Sequence, residues 1–230
     1  MIKAIVFDLD GTLFDHEGAA RHGLRTWAPT LGPTSLAPEE IEALWFALDA
    51  RHYQGYLDGR LSYAGQRRLR MQEFVHALGL DATVDLEGAF LDYLAAYSAA
   101  WRAFDDALDA LRGAQAAGLD VAVLTNGDLD QQTAKLRATG LIEHCGPIFA
   151  SSALGVAKPA PSAYWAVASS LGHSPAELRM VGDNLTTDVQ GALSAGLEAV
   201  HLDRGAQGPT YGFDGAAASI RTLADPALIP

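Results

Sequence analysis

Two aspartates one residue apart, Asp8 and Asp10, close the apolar run Lys3-Ala-Ile-Val-Phe7 and precede Gly11-Thr12. A second run, Asp120-Val-Ala-Val-Leu-Thr125, delivers Thr125 and Asn126 just before Gly127. A third, Leu178-Arg-Met-Val-Gly-Asp183, ends in Asp183, with Asp188 five residues on. Carboxylates gathered at one edge repel one another unless a cation lies among them. Oxygen donors without Cys or His suit Mg²⁺, which keeps several waters and bridges to phosphate. Gly11 lets the backbone fold tightly beside such a ligand. Thr125 offers a hydroxyl and the following turn offers N–H groups, both suited to phosphate oxygens. Lys158, held before Pro159, adds a point charge. Taken singly, each of these residues reads as a cap, a turn or a solvated cation. Their joint arrival at successive strand ends favours metal-assisted chemistry on a phosphate group.

The elements that must position them are short strands alternating with helical patterns. Besides the three runs above, Glu198-Ala-Val-His-Leu-Asp203 reads as a strand and Pro147-Ile-Phe-Ala150 as a weaker one. Helical periods cover Ala107–Ala117, Leu129–Ala138, Ser162–Leu171 and Asp188–Ala195, and Gly118, Gly172 and Gly196 fit as stops. This alternation predicts an α/β fold with a doubly wound parallel sheet, where ligands sit beyond the carboxyl ends of the strands. From His16 to Tyr97 the pattern is helical throughout, with helices expected over Glu39–Tyr53, Leu61–Leu78 and Leu86–Tyr97. The expected organisation is therefore a core of residues 1–15 and 98–230 with an inserted all-helical domain, 16–97. The stretch Gly205 to Gly215 reads as a glycine-rich surface loop.

Composition narrows the partners. Sixteen Lys and Arg against 28 Asp and Glu give a formal net charge of −12, a field that repels nucleic acid and anionic membranes. A phosphate substrate then needs a local positive site, which a divalent cation can supply. The single Cys145 excludes an intramolecular disulfide and a multi-cysteine metal site. Acids interrupt the first apolar run and no run of about 18 apolar residues occurs, so a cytoplasmic protein without a membrane span is expected.

Phe7-Asp-Leu-Asp-Gly-Thr12, Thr125-Asn-Gly127, Lys158-Pro159 and Gly182-Asp-Asn-Leu-Thr-Thr-Asp188, in that order, resemble the four motifs of the haloacid dehalogenase superfamily of phosphohydrolases. The resemblance covers nearly the whole chain, and the 16–97 insert is similar to the helical cap of some subfamilies. It implies a phosphatase in which Asp8 is the nucleophile that becomes an aspartyl-phosphate. Asp10 would protonate the leaving oxygen and then deprotonate water. It further implies Mg²⁺ held by the Asp8 side chain, the Asp10 backbone carbonyl and Asp183. Phosphate would be held by Thr125, the Asn126 N–H and Lys158, while Asp188 orients Lys158 or metal-bound water. Dehalogenases of the superfamily usually lack the second aspartate, which Asp10 supplies here. Phosphomutase and non-catalytic phosphate-binding relatives keep the same fold.

Features of Leu57–Arg70, Thr125–Asp128 and Gly155–Pro159 are similar to two helical-cap branches, the pyrimidine nucleotide phosphatases and the N-acylneuraminate-9-phosphate phosphatases. The substrate implied is a small phosphorylated metabolite, a nucleotide or a sugar phosphate. In the insert, Arg60, Arg67, Arg68 and Arg70 form a locally basic segment that either attracts an anion or is a solvated helix face. Trp45, Phe46, Tyr53, Tyr56 and Tyr63 either stack on a base or form helix-bundle core. His16, Tyr56, Arg60 and Arg67 are the candidate substrate contacts.

Overall fold

The computed structural model describes residues 1–80, 84–205 and 218–229. Of the expected glycine-rich loop only Gly205 falls among them; the remainder lies outside the described residues. In chain order the strands are β1 (Ala4–Phe7), β2 (Asp120–Thr125), β3 (Ile148–Ala150), β4 (Leu178–Gly182), β5 (Glu198–Leu202) and β6 (Ala218–Ile220). The helices are α1 (His16–Trp27), α2 (Pro38–Leu57), α3 (Tyr63–Ala77), α4 (Leu86–Ala99), α5 (Ala107–Ala116), α6 (Leu129–Ala138), α7 (Ser151–Leu154), α8 (Pro161–Leu171) and α9 (Gly191–Ser194).

The chain divides into two compact units, residues 1–15 with 102–230, and residues 16–101. In the first, six strands form one parallel sheet in the order β3-β2-β1-β4-β5-β6. All four residues of β1 are buried, as expected of a parallel strand covered on both faces. Side chains alternate across it. Ala4, Val6, Ala122, Leu124, Leu178 and Met180 pack with Ala163, Tyr164 and Val167 of α8 and Ala192 of α9. Ile5, Phe7, Val121, Val123 and Val181 point to the opposite face. Fully burying each such aliphatic or aromatic side chain contributes about 1.5–3 kcal/mol.

The register fixes the site. Phe7 pairs with Val123 on one side and with Val181 on the other. Asp8, Thr125 and Asp183 therefore leave the sheet within a residue or two of the same level. The strand order reverses beside β1, which puts this edge at the switch point where doubly wound sheets bind ligands.

Three elements differ from the sequence expectation, one of them the short helix α7, which follows β3 directly. The helix expected from Asp188 begins at Leu185 as a wide π-type turn through Gln190, with α9 following. The Asn184 side chain starts it by accepting from the N–H groups of Thr186 and Thr187, both at 3.0 Å. The sixth strand, β6, was not anticipated and pairs with β5 at the sheet edge.

The second unit is wholly helical over its described residues. Its core is aromatic: Trp45 lies 4.4 Å from Tyr93, 4.9 Å from Phe74 and 5.7 Å from Trp27, ring centre to ring centre. α1 packs closely on α4 because Gly23 faces it; a Cβ there would come within 2.8 Å of the Tyr97 backbone.

Candidate active site

Asp8 leaves β1 with its N–H bonded to the Val181 carbonyl at 2.8 Å, so its backbone still belongs to the sheet. The chain then turns tightly: the N–H groups of Leu13 and Phe14 converge on the Leu9 carbonyl at 3.0 and 2.9 Å. Gly11 makes the turn possible with φ of +89°, and a Cβ on it would lie 2.4 Å from the Asp183 carboxylate. The turn is also pinned from outside. Arg204 donates to the Thr12 carbonyl at 2.9 Å while its guanidinium forks onto Asp106 at 2.8 and 3.0 Å.

At the centre lies Lys158, buried, with its Nζ 2.6 Å from Asp8 Oδ1 and 2.6 Å from Asp188 Oδ1. The other oxygen of Asp188 accepts from the Asn184 N–H at 3.0 Å. Asp183 accepts from the Thr12 hydroxyl at 3.2 Å. One ammonium thus faces three carboxylates. Burial pushes the Asp8 carboxyl well above the usual carboxylate range; Lys158 pulls it back, while Asp188 and Asp183 push it further up. The Asp183 side chain reaches solvent, yet its packed surroundings, and then Asp188, push its carboxyl up to about 6. Burial alone would lower the Lys158 ammonium, but Asp188 and Asp8 outweigh it and the net shift is upward.

One carboxylate oxygen each from Asp8, Asp183 and Asp188 lies within 4.8 Å of the other two. A set of hard oxygen donors carrying more negative charge than its one ammonium offsets fits a divalent cation. Asp188 spends one oxygen on Lys158 and the other on the Asn184 N–H, whereas Asp8 spends only one, on Lys158, which leaves Asp8 and Asp183 as the better donors of the three.

Asn126 contributes in a way its type did not announce. Its side-chain amide donates to the Lys158 carbonyl and accepts from the Lys158 N–H, both at 2.8 Å. The side chain thus fastens the Lys158 segment to the β2 turn. Gly127 N–H in turn donates to Ser151 Oγ at 2.9 Å.

Asp10 stands apart from the carboxylate cluster. Its carboxylate faces α6, where Lys135 Nζ reaches both oxygens at 2.6 and 2.9 Å and Gln132 Nε2 reaches Oδ2 at 2.9 Å. The same Gln132 nitrogen donates to Thr125 Oγ1 at 2.6 Å. Sequence reasoning missed both α6 residues. Their signal was present: Gln132 and Lys135 fall, three apart, on the buried face of α6 with Leu136. Polar residues on the inward stripe of a helix that starts at a site turn are worth reading as part of the site.

The candidate contacts of the helical unit are each engaged within it. His16 Nδ1 is 2.9 Å from the Tyr97 hydroxyl. Arg60 pairs with Asp58 at 2.6 Å, and Arg67 donates to the Tyr63 hydroxyl at 2.8 Å with its guanidinium over that ring. Tyr56 sits between Tyr53 and Tyr63, at 5.8 and 5.5 Å. Two residues of the wider groups belong to the core instead: Trp45 is buried among aromatic rings, and Arg70 is buried over it and paired with Asp49.

A sequence model of the haloacid dehalogenase-like hydrolases matches residues 2–196. The chain belongs to this family. The chain is 34% identical to phosphoserine phosphatase of Thermus thermophilus over 182 residues, covering 78% of this chain and 68% of that protein. It is 29% identical to (S)-2-haloacid dehalogenase 1 of a Pseudomonas strain, covering 92% of this chain and 89% of the other. The magnesium-bound structure of the hydrolase YfnB from Bacillus subtilis superposes with a TM-score of 0.80 over 96% of this chain and 95% of that one. At 22% identity that likeness speaks for the fold. Haloacid dehalogenase-like phosphatases generally use a divalent metal, which agrees with the donor set at Asp8 and Asp183.

Proposed function

We propose that the protein is a Mg²⁺-dependent phosphatase that hydrolyses a small phosphate monoester through an aspartyl-phosphate on Asp8. The observation that carries this reading is the separation of two carboxylates at one strand end. Asp8 lies buried against Lys158 within the charged cluster, and Asp10 lies outside it, held from α6. A nucleophile and an acid–base group need different surroundings, and these two have them.

The steps follow from those roles. An Asp8 oxygen forms a bond to phosphorus as the bond to the leaving oxygen breaks, and Asp10 gives that oxygen a proton. Water then attacks phosphorus while Asp10 takes its proton, the Asp8–phosphorus bond breaks and inorganic phosphate leaves. Thr125, the Asn126 N–H and Lys158 hold the phosphate oxygens, and Asp188 keeps Lys158 in place. The Asp8 and Asp183 carboxylates with the Asp10 carbonyl would hold Mg²⁺, which when bound supplies charge neutralisation at the phosphoryl group. The dehalogenase reading has the Pseudomonas relative in its favour, but Asp10 and its α6 partners have no part in it.

Hydrolysis of p-nitrophenyl phosphate with Mg²⁺ tests this reading. EDTA is expected to abolish phosphate release and added Mg²⁺ to restore it; full activity in chelator would remove the metal from the mechanism. In EDTA, adding Mg²⁺ back is also expected to raise Tm, since a cation bound only by the folded state stabilises it.

The core motifs recognise phosphate and metal alone, so selection among esters falls to the helical unit. Substitutions at Arg60, Arg67, Tyr56 or His16 are expected to change KM and the ranking of nucleoside monophosphates against sugar phosphates. Turnover of p-nitrophenyl phosphate should change less, because its leaving group demands little recognition. Kinetics across such a panel would refute this if every variant kept the wild-type ranking. The acidic charge, the lone cysteine and the absence, among the described residues, of a helix long and apolar enough to span a membrane support a cytoplasmic setting and argue against nucleic-acid or membrane partners.

A further inference from the structure

Lys135 lies in the interior of α6 with only 3% of its side chain exposed. Lysine is almost never this buried unless paired, and a buried ion pair stabilises no more than apolar residues of similar volume. Leu136, next in the chain and fully buried, shows that this helix face accepts such residues. Packing therefore does not explain the ammonium. Its surroundings do: both Asp10 oxygens lie within 2.9 Å, and the Phe14 ring centre lies 4.9 Å away. One helical turn earlier, Gln132 gives the same carboxylate a second hold and joins it to the Thr125 hydroxyl.

We propose that Lys135 and Gln132 are positioning residues for the reaction, fixing the Asp10 carboxylate against α6 and in line with Thr125. The proposal rests on the reading of Asp10 as the acid–base group. Asp10 is about a quarter exposed and sits on a turn, where two side-chain torsions would otherwise leave its carboxylate several orientations. Lys135 binds both oxygens and Gln132 binds one, which selects a single orientation. The Gln132 bridge also sets the distance from Asp10 to a residue that holds phosphate, so acid and substrate share one frame. Such support is what keeps a catalytic group within the few tenths of an ångström its geometry allows.

The test is a double-mutant comparison on p-nitrophenyl phosphate with Mg²⁺, alongside crystal structures. Lys135→Met keeps the length and removes the charge. It is expected to lower kcat about 10- to 100-fold with KM changed less than about threefold, and Gln132→Leu to lower kcat about tenfold. In an Asp10→Asn background, Lys135→Met should cost nothing further, because its target is already disabled. An equal loss in both backgrounds, or wild-type kcat in Lys135→Met, would overturn the proposal. Should Lys135→Met fail to fold, Lys135→Gln carries the same comparison. In the crystal structure of the variant the Asp10 carboxylate should have left α6, and finding it unmoved would also overturn the proposal. That readout needs no turnover. If wild-type protein released no phosphate yet Asp10 moved in the variant, the phosphatase reading would fall and the positioning would stand.

Discussion

Asp8→Asn is expected to lower kcat by about four orders of magnitude or more while leaving the fold intact. The amide matches the carboxylate in shape but cannot form the phospho-intermediate. Stability should not suffer. Asp8 is buried in a cluster where burial and two neighbouring carboxylates already oppose its charge, so a neutral group there relieves that strain. Lys158 retains Asp188 as its partner. Without metal the variant is therefore expected to melt at the wild-type temperature or slightly above. Circular dichroism melts and a p-nitrophenyl phosphate assay on the same sample would check both halves. Retention of more than a few per cent of wild-type kcat would remove Asp8 as the nucleophile.

Lys158→Met should be the most damaging change for stability as well as for activity. Its ammonium is the cation between Asp8 and Asp188, both buried, and removing one side of such a cluster costs about 3–5 kcal/mol. The loss should depend on pH in a defined direction. Asp8 is already raised above its unfolded value with Lys158 present, and it rises further without it. A group with a raised folded pKa is protonated at low pH in both states and opposes folding once pH passes its unfolded value, about 3.9. In metal-free buffer the gap between variant and wild-type Tm should accordingly be small near pH 4–5 and widen toward pH 8. A gap that narrowed with rising pH would show that Lys158 does not neutralise this cluster.

Much of this was legible in the chain. Strands β1, β2 and β4 declared themselves because both faces are buried, which makes each a near-continuous apolar run ending in a polar residue. The segments that stayed hidden are those whose stabilisation comes from elsewhere. β6 is three residues, Ala-Ser-Ile, and gains its strand character from pairing with β5. α1 falls in the stretch read as helical, but its bounds stayed unread: besides Leu24 and Trp27 it buries Ala19, Ala20 and Gly23, small residues whose value lies in close approach rather than in hydrophobicity. In the site, Asp8, Asp183 and Lys158 could be read from their joint occurrence in order along the chain, though not from any one position alone. Lys135 and Gln132 could not, since their meaning depends on which residue α6 faces, and that is a fact of tertiary packing. The Asn126 side chain was likewise read for its backbone N–H, while its amide does a different job.

That job has a consequence for how the site meets its ligand. Two segments 32 residues apart, each carrying a group proposed to hold phosphate, are joined through an amide that is both donor and acceptor to the backbone of one residue, Lys158. A carboxylate in its place could accept from the Lys158 N–H but would repel the carbonyl, and a hydroxyl would be too short to serve both. The spacing between the Asn126 N–H and the Lys158 segment is thus settled when the chain folds. On the proposed phosphatase reading, an arriving phosphate would find these groups already aligned, so no binding energy would be diverted into assembling this half of the site.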